Sequence, residues 1–103
     1  MIAILSATFP GHVFKQVIQA FTSSDIPKRP ESIKEISSIA YRDDNGHQAV
    51  FLFDVPDALM AEFVTSQAKR SAFISARVPG FTSSVHAGKT VVEAIRDLMP
   101  LYP

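Results

Sequence analysis

The chain has 103 residues, enough for one domain with a single modest core. Its 47% hydrophobic and 19% charged content belongs to a folded globular protein, not a disordered chain. Ten basic residues balance ten acidic ones, which leaves no overall positive field to draw it to nucleic acid or an anionic membrane, and the absence of cysteine removes disulfides, thiolate metal sites and cysteine nucleophiles together.

Met1 to Phe9 is apolar but carries no early Lys or Arg and runs straight into Pro10-Gly11, which is not the form of a signal peptide. No apolar run approaches the ~18 residues of a membrane span. A cytoplasmic protein in a reducing compartment is the expectation. Residues 2 to 9 read as a first strand. From His12 to about Thr22, Val13, Val17, Ala20 and Phe21 recur at helical spacing, with Phe14 and Ile18 widening the stripe. The connection to about Ser32 holds Pro27 and Pro30 around Lys28-Arg29 and reads as a plain surface loop.

Ile33 to Arg42 is a second strand, and the turn signal Asp43-Asp44-Asn45-Gly46 leads into a third, Gln48 to Val55. The rest of the chain is arranged around that third strand. Ala49, Phe51, Phe53 and Val55 point to one face, and Val50 and Leu52 to the other, so it needs cover on both. Pairing across the turn places Ile36, Ser38 and Ala40 with the Phe51 face. Glu35, Ser37, Ile39, Tyr41, Gln48 and Asp54 go with Val50 and Leu52. Pro56 starts a second helix with a predicted buried stripe of Leu59, Met60, Phe63, Val64 and Ala68, and the pattern blurs from Ser71 to Arg77. Phe81 to Ala87 is a fourth strand. Thr90-Val91-Val92-Glu93 is a capping box opening a last helix with the stripe Val92, Ile95 and Met99, and Pro100 closes it.

The order β-α-β-β-α-β-α resembles the ferredoxin-like split βαβ unit with an added C-terminal helix. That resemblance covers nearly the whole chain and implies an antiparallel α+β sheet in the order 4-1-3-2, with both crossover helices on one face. Those helices are assigned to Ala3, Leu5, Ala7, Phe9, Phe51, Phe53, Phe81 and Val85. The other face keeps Ile2, Ile4, Ile39, Val50 and Leu52 at its centre with a polar fringe. It measures roughly 350 Å² in projection. Covering its apolar half stabilises by ~4 kcal/mol per chain. An aliphatic centre with a polar rim is the layout of an interface. The chain is similar to the dimeric α+β barrel superfamily, in particular its small bacterial members without an assigned role. Those families include cofactor-free monooxygenases, haem-degrading enzymes, chlorite dismutase relatives and stress-responsive barrel proteins. The resemblance implies a homodimer through the sheet face.

The chemistry is sparse. His12, His47 and His86 show no H-x-H or H-x-x-x-H spacing, so no metal site is expected. One histidine on a strand does not make a haem site, and no cofactor is expected. No G-x-S-x-G or P-loop occurs, and Gly88-Lys89-Thr90 reads as a helix start. Gly46 to Phe53 superficially matches an RNA-recognition segment. The base-stacking positions hold Gln48, Val50 and Ala3, so no nucleic-acid partner is expected. Lys28-Arg29 and Lys69-Arg70 read as solvated surface pairs. The candidate ligand site is a cleft between sheet and helices lined by Ser6, Tyr41, Gln48 and His86, holding a small organic molecule. The expected role is a homodimeric small-molecule-binding or interaction module. The alternative is a cofactor-independent monooxygenase or isomerase acting on a small aromatic or carbonyl substrate.

Overall fold

Strands β1 (Ile2–Phe9), β2 (Lys34–Asp43), β3 (Gly46–Asp54) and β4 (Thr82–Gly88) form one sheet in the computed structural model, which describes residues 1–101. The helices are α1 (Phe14–Phe21), entered through a 3-10 turn at Gly11–Val13, α2 (Met60–Ser75) and α3 (Val91–Leu98). The strand order is β2-β3-β1-β4 with every neighbouring pair antiparallel, the order the resemblance implies. β3 therefore has a strand on each side. Two apolar clusters lie between the sheet and α1 and α2. One joins Ala7, Phe9, Val13, Val17, Ala20, Ile74, Val78 and Phe81, and the other joins Ala3, Leu5, Ile33, Phe53, Val55 and Phe63.

Both helices depart from their predicted faces in informative ways. α2 runs unbroken through the stretch where the apolar pattern blurs, because its inward side is Phe63, Gln67 and Ile74. That spacing is helical, but one of the three residues is polar. Val64, assigned to the stripe, is 45% exposed. On α1, Val17 and Ala20 are buried, whereas Phe14, Ile18 and Phe21 keep more than a third of their surface open.

The hairpin of β2 and β3 closes through Asp44 and Asn45, with Asp43 paired to Gly46. Asp43 Oδ1 accepts from the backbone N–H of Asn45 (2.9 Å), the local bond that lets Asp initiate a turn. Gly46 takes φ 116°, and a Cβ there would lie 2.7 Å from the carbonyl oxygen of Phe9. Only glycine meets both conditions without strain. A two-residue loop keeps the predicted facing for Ser38 to Tyr41. Nearer the start of β2 a bulge intervenes: Glu35 pairs with Phe53 and Ser37 with Leu52, leaving Ile36 as the extra residue. Glu35 is thereby turned to the helix side. Ile36 joins Ile2, Asp54 and Gly88 around a concavity on the opposite side. This reverses the assignment of those two residues, since period-2 alternation cannot register an inserted residue.

Cover is uneven across the sheet. All ten residues of β2 are exposed, so α1 and α2 stop short of that edge. α3 contributes no buried residue at all. Its N-terminus carries the first half of the capping box, Thr90 Oγ1 accepting from the Glu93 N–H (3.2 Å), while the Glu93 carboxylate accepts from the Thr90 hydroxyl (3.0 Å). Lys89 and Asp97 form an ion pair along it. The Cα radius of gyration is 15.4 Å. A compact chain of this length has a value of roughly 13 Å. The helix stands away from the body.

Replacing Gly46 with Ala is expected to destabilise the protein by about 1–3 kcal/mol, through the positive φ and the approach to the Phe9 carbonyl. Urea denaturation with an unchanged m-value would register it.

Candidate functional site

The strongest concentration of unsatisfied chemistry lies in the seam between the sheet, α2 and the loop that precedes β2. Gln67 is the one buried polar side chain among the described residues, 4% exposed. Its helical spacing from Phe63 and Ile74 forces it inward. Once there, it must find partners, because an unpaired buried amide costs several kcal/mol. Arg29 Nη2 donates to its Oε1 (2.9 Å), and its Nε2 donates to Ser71 Oγ (3.2 Å). Ser83 Oγ of β4 donates to the same Ser71 oxygen (2.6 Å). The result is a polar thread from Arg29 to β4 through an otherwise apolar layer.

Two guanidiniums sit over this seam. Arg29 lies 4.4 Å above the Phe53 ring centre, and Arg70 lies 5.7 Å from that of Phe21. Arg70 Nη1 donates to the carbonyl of Pro27 (2.7 Å), which ties α2 to the loop. Among the described residues neither guanidinium forms an ion pair with a carboxylate. Arg29 Nε is buried and has no hydrogen-bond partner among the described residues. Burial pushes the Arg29 pKa down to about 10, the nearby charge of Arg70 adds to the effect, and Glu35 acts the other way. Burial also lowers Arg70. With the folded value below the unfolded one, the buried charge costs stability at every pH below about 10. The cost is relieved only as the pH rises through that value towards the ordinary arginine range.

Gln67 and Phe21, the partners of the two guanidiniums, also wall a cavity of about 50 Å³ that neither arginine lines; its other side chains are mainly apolar, Phe51 and Ala49 among them, with Ser83 as a second polar one. On the outer side, Lys28, Arg29 and Lys69 line one groove with Glu62. The two dipeptides Lys28-Arg29 and Lys69-Arg70 thus come together in space, and their arginines are half-buried, where the sequence reads as solvated pairs. Their wide separation along the chain hides such a meeting. The loop carrying Arg29 is also more than a surface connection, since Ile33 is buried and Ile26 packs on the core.

The residues predicted to line a cleft are placed differently. Ser6, Tyr41, Gln48 and His86 lie on the sheet face turned away from α1 and α2, not between sheet and helices. Tyr41 pairs with Gln48 at the β2 edge, Ser6 lies between Val50 and Ser84, and His86 pairs with Ile4 on the far edge strand. Three strand spacings, roughly 14 Å, separate the edges. A single chain does not bring Tyr41 and His86 together. Gln48 is engaged within the sheet, accepting from Thr8 Oγ1 (2.6 Å) and donating to Asp43 Oδ1 (3.2 Å). His47 stacks on Phe9 at 5.5 Å and tilts against Phe14 at 5.6 Å, as one more ring in the packing. No three His, Asp or Glu side chains converge among the described residues, and no described helix is long and apolar enough to cross a membrane.

No protein-family model matches the chain, and no curated protein matches it. The solved structure of an unknown protein from Galdieria sulphuraria is similar over 97% of this chain, at a TM-score of 0.40 and 13% identity. The chain spans 62% of that structure's length. A likeness at that distance carries no reading of function.

Replacing Gln67 with Leu keeps the volume but leaves Arg29 without its acceptor. The expected loss is about 2 kcal/mol in urea denaturation, and equal at pH 6 and pH 9, because Arg29 stays charged across that range.

Proposed function

We propose that the chain is a ferredoxin-like module that works as a homodimer and binds a small organic molecule, with the open sheet faces of two copies packed together. One observation carries the reading: α3 is amphipathic, yet none of its residues is buried. Eight-residue helices do not hold themselves together in water, where about 12–15 residues are needed even for favourable sequences. Such a helix needs an apolar partner. Its Val91, Ile95 and Leu98 recur at helical spacing and are 74%, 54% and 49% exposed.

The second support is the bare sheet face. Ile4, Val50 and Leu52 line its centre, with Ile39 beside them 63% exposed. The open side chains of α3 and the turn after it hold on the order of 600 Å², and with the sheet face they reach the ~800 Å² that a stable interface takes from each partner. The occupant that fits is a second copy. The chain has zero net charge, so two copies meet without overall repulsion. In such a pair, the edge strands of one sheet lie over edges of the other. Tyr41 of one protomer can then approach His86 of its partner, which is how the predicted ligand set of Ser6, Tyr41, Gln48 and His86 would be completed.

Sedimentation equilibrium at micromolar concentration should report twice the 11.3 kDa chain mass. Val50→Lys, which sets a charge at the centre of each face, should shift the protein to monomer with the fold retained by circular dichroism. A wild-type monomer would refute the reading. So would a dimer indifferent to Val50→Lys, which would point to pairing through the exposed β2 edge instead.

A further inference from the structure

The seam on the helix side has features that core packing does not explain. Two arginines half-buried side by side, with no carboxylate paired to either, weaken a fold unless something else uses them. Arg29 Nε is a buried donor with no acceptor, in a class of group that is nearly always satisfied. Lys28 and Lys69 add positive charge at the rim, against Glu62 alone in that groove. Neither guanidinium lines the neighbouring apolar cavity, but each is attached to a residue that does: Arg29 to Gln67 by a hydrogen bond, Arg70 to Phe21 by stacking.

We propose that Arg29 and Arg70 bind the carboxylate of a short aliphatic acid whose tail fills the cavity behind Gln67. A guanidinium presents a planar fork of N–H donors that matches a carboxylate, and the unused Arg29 Nε–H supplies a donor without breaking an existing bond. On this measure a water takes about 10–15 Å³, so the cavity accepts roughly four heavy atoms, a propyl or butyl tail and not an aromatic ring. Its lining offers almost no polar group, which favours a hydrocarbon over a hydroxylated tail. The anion neutralises the clustered charge, so binding returns the stability that burying the guanidiniums removes. Glu35 is the other candidate counter-ion, since its charge already acts on Arg29. It sits on an exposed edge strand, and it leaves the cavity empty.

This inference deepens the small-molecule part of the reading above and is independent of dimerisation, since the site lies on the opposite side of the sheet. The test titrates the protein with sodium butyrate, with butyramide as the neutral analogue and inorganic phosphate as the anion without a tail. Melting temperature and the Arg Nε–Hε signals in ¹H–¹⁵N spectra are followed. Butyrate is expected to raise the melting temperature saturably and to shift two Arg signals, with butyramide and phosphate each at least about ten-fold weaker. Arg29→Gln should abolish the shift. Ala49→Leu, which fills the cavity from β3 and leaves both arginines in place, should weaken butyrate about ten-fold and leave phosphate unchanged. The monomeric Val50→Lys variant should bind butyrate as the wild type does. Equal response to phosphate and butyrate, or indifference to Ala49→Leu, would overturn the tail assignment and with it the proposal. No response to butyrate, together with a lower melting temperature for Glu35→Gln, would identify Glu35 as the counter-ion and overturn it outright. Either result leaves the dimer standing or falling on its own measurement.

Discussion

A four-stranded sheet has two faces, and this chain has apolar residues on both but only enough body helix for one. β1 shows the asymmetry most plainly. Ala3, Leu5, Ala7 and Phe9 are buried under α1 and α2, while Ile2, Ile4, Ser6 and Thr8, alternating with them, are only half covered by their strand neighbours. The pleat imposes that alternation, and no local rearrangement removes it. Much of the architecture follows from how the second face is handled. The helix layer stops short of β2, α3 departs from the body after β4, and the aliphatic centre of Ile4, Val50 and Leu52 has no helix over it among the described residues. Two amphipathic surfaces without partners in one small chain are more economically explained by one contact than by two.

The covered face has its own irregularity. A layer made of Phe53, Phe63, Ile74 and Phe81 needs no arginine, yet Arg29 is drawn in over Phe53 and bonded to a buried glutamine. Stacking on rings and a single hydrogen bond offset part of the desolvation of a guanidinium, but not the proximity of a second one. The polar thread through Gln67, Ser71 and Ser83 continues that investment as far as β4. Such arrangements persist where stability is exchanged for a binding site. The two faces thus differ: one is left bare and apolar, and the other holds a buried charge.

How much of this was legible in the sequence depended on whether the signal was local. β3 was legible as an inner strand because it is apolar in both parities, and the capping box at Thr90 because its two partners are three residues apart. The strand order was legible only through the resemblance of the element order to a known arrangement. The bulge at Glu35 to Ser37 was not legible, since alternation carries no mark of an extra residue, and two side chains changed faces with it. The inward turn of Gln67 was hidden by composition: a polar residue in the buried register blurs the very periodicity that locates the register. The meeting of Arg29 and Arg70 depends on how the Pro27–Pro30 loop folds back onto α2, a tertiary fact with no sequence period. Ser6, Tyr41, Gln48 and His86 share one face, but a shared face does not fix distance, and Tyr41 and His86 lie on opposite edge strands.

The claim that a second copy covers what this chain leaves bare is tested most directly at α3, by amide hydrogen exchange measured over a range of protein concentrations. Shared burial predicts that the α3 amides are protected at high concentration and lose that protection on dilution, while those of β1 and β3 stay protected throughout. If the α3 amides exchange at unprotected rates at every concentration, the helix has no partner, and the reason for pairing two copies goes with it.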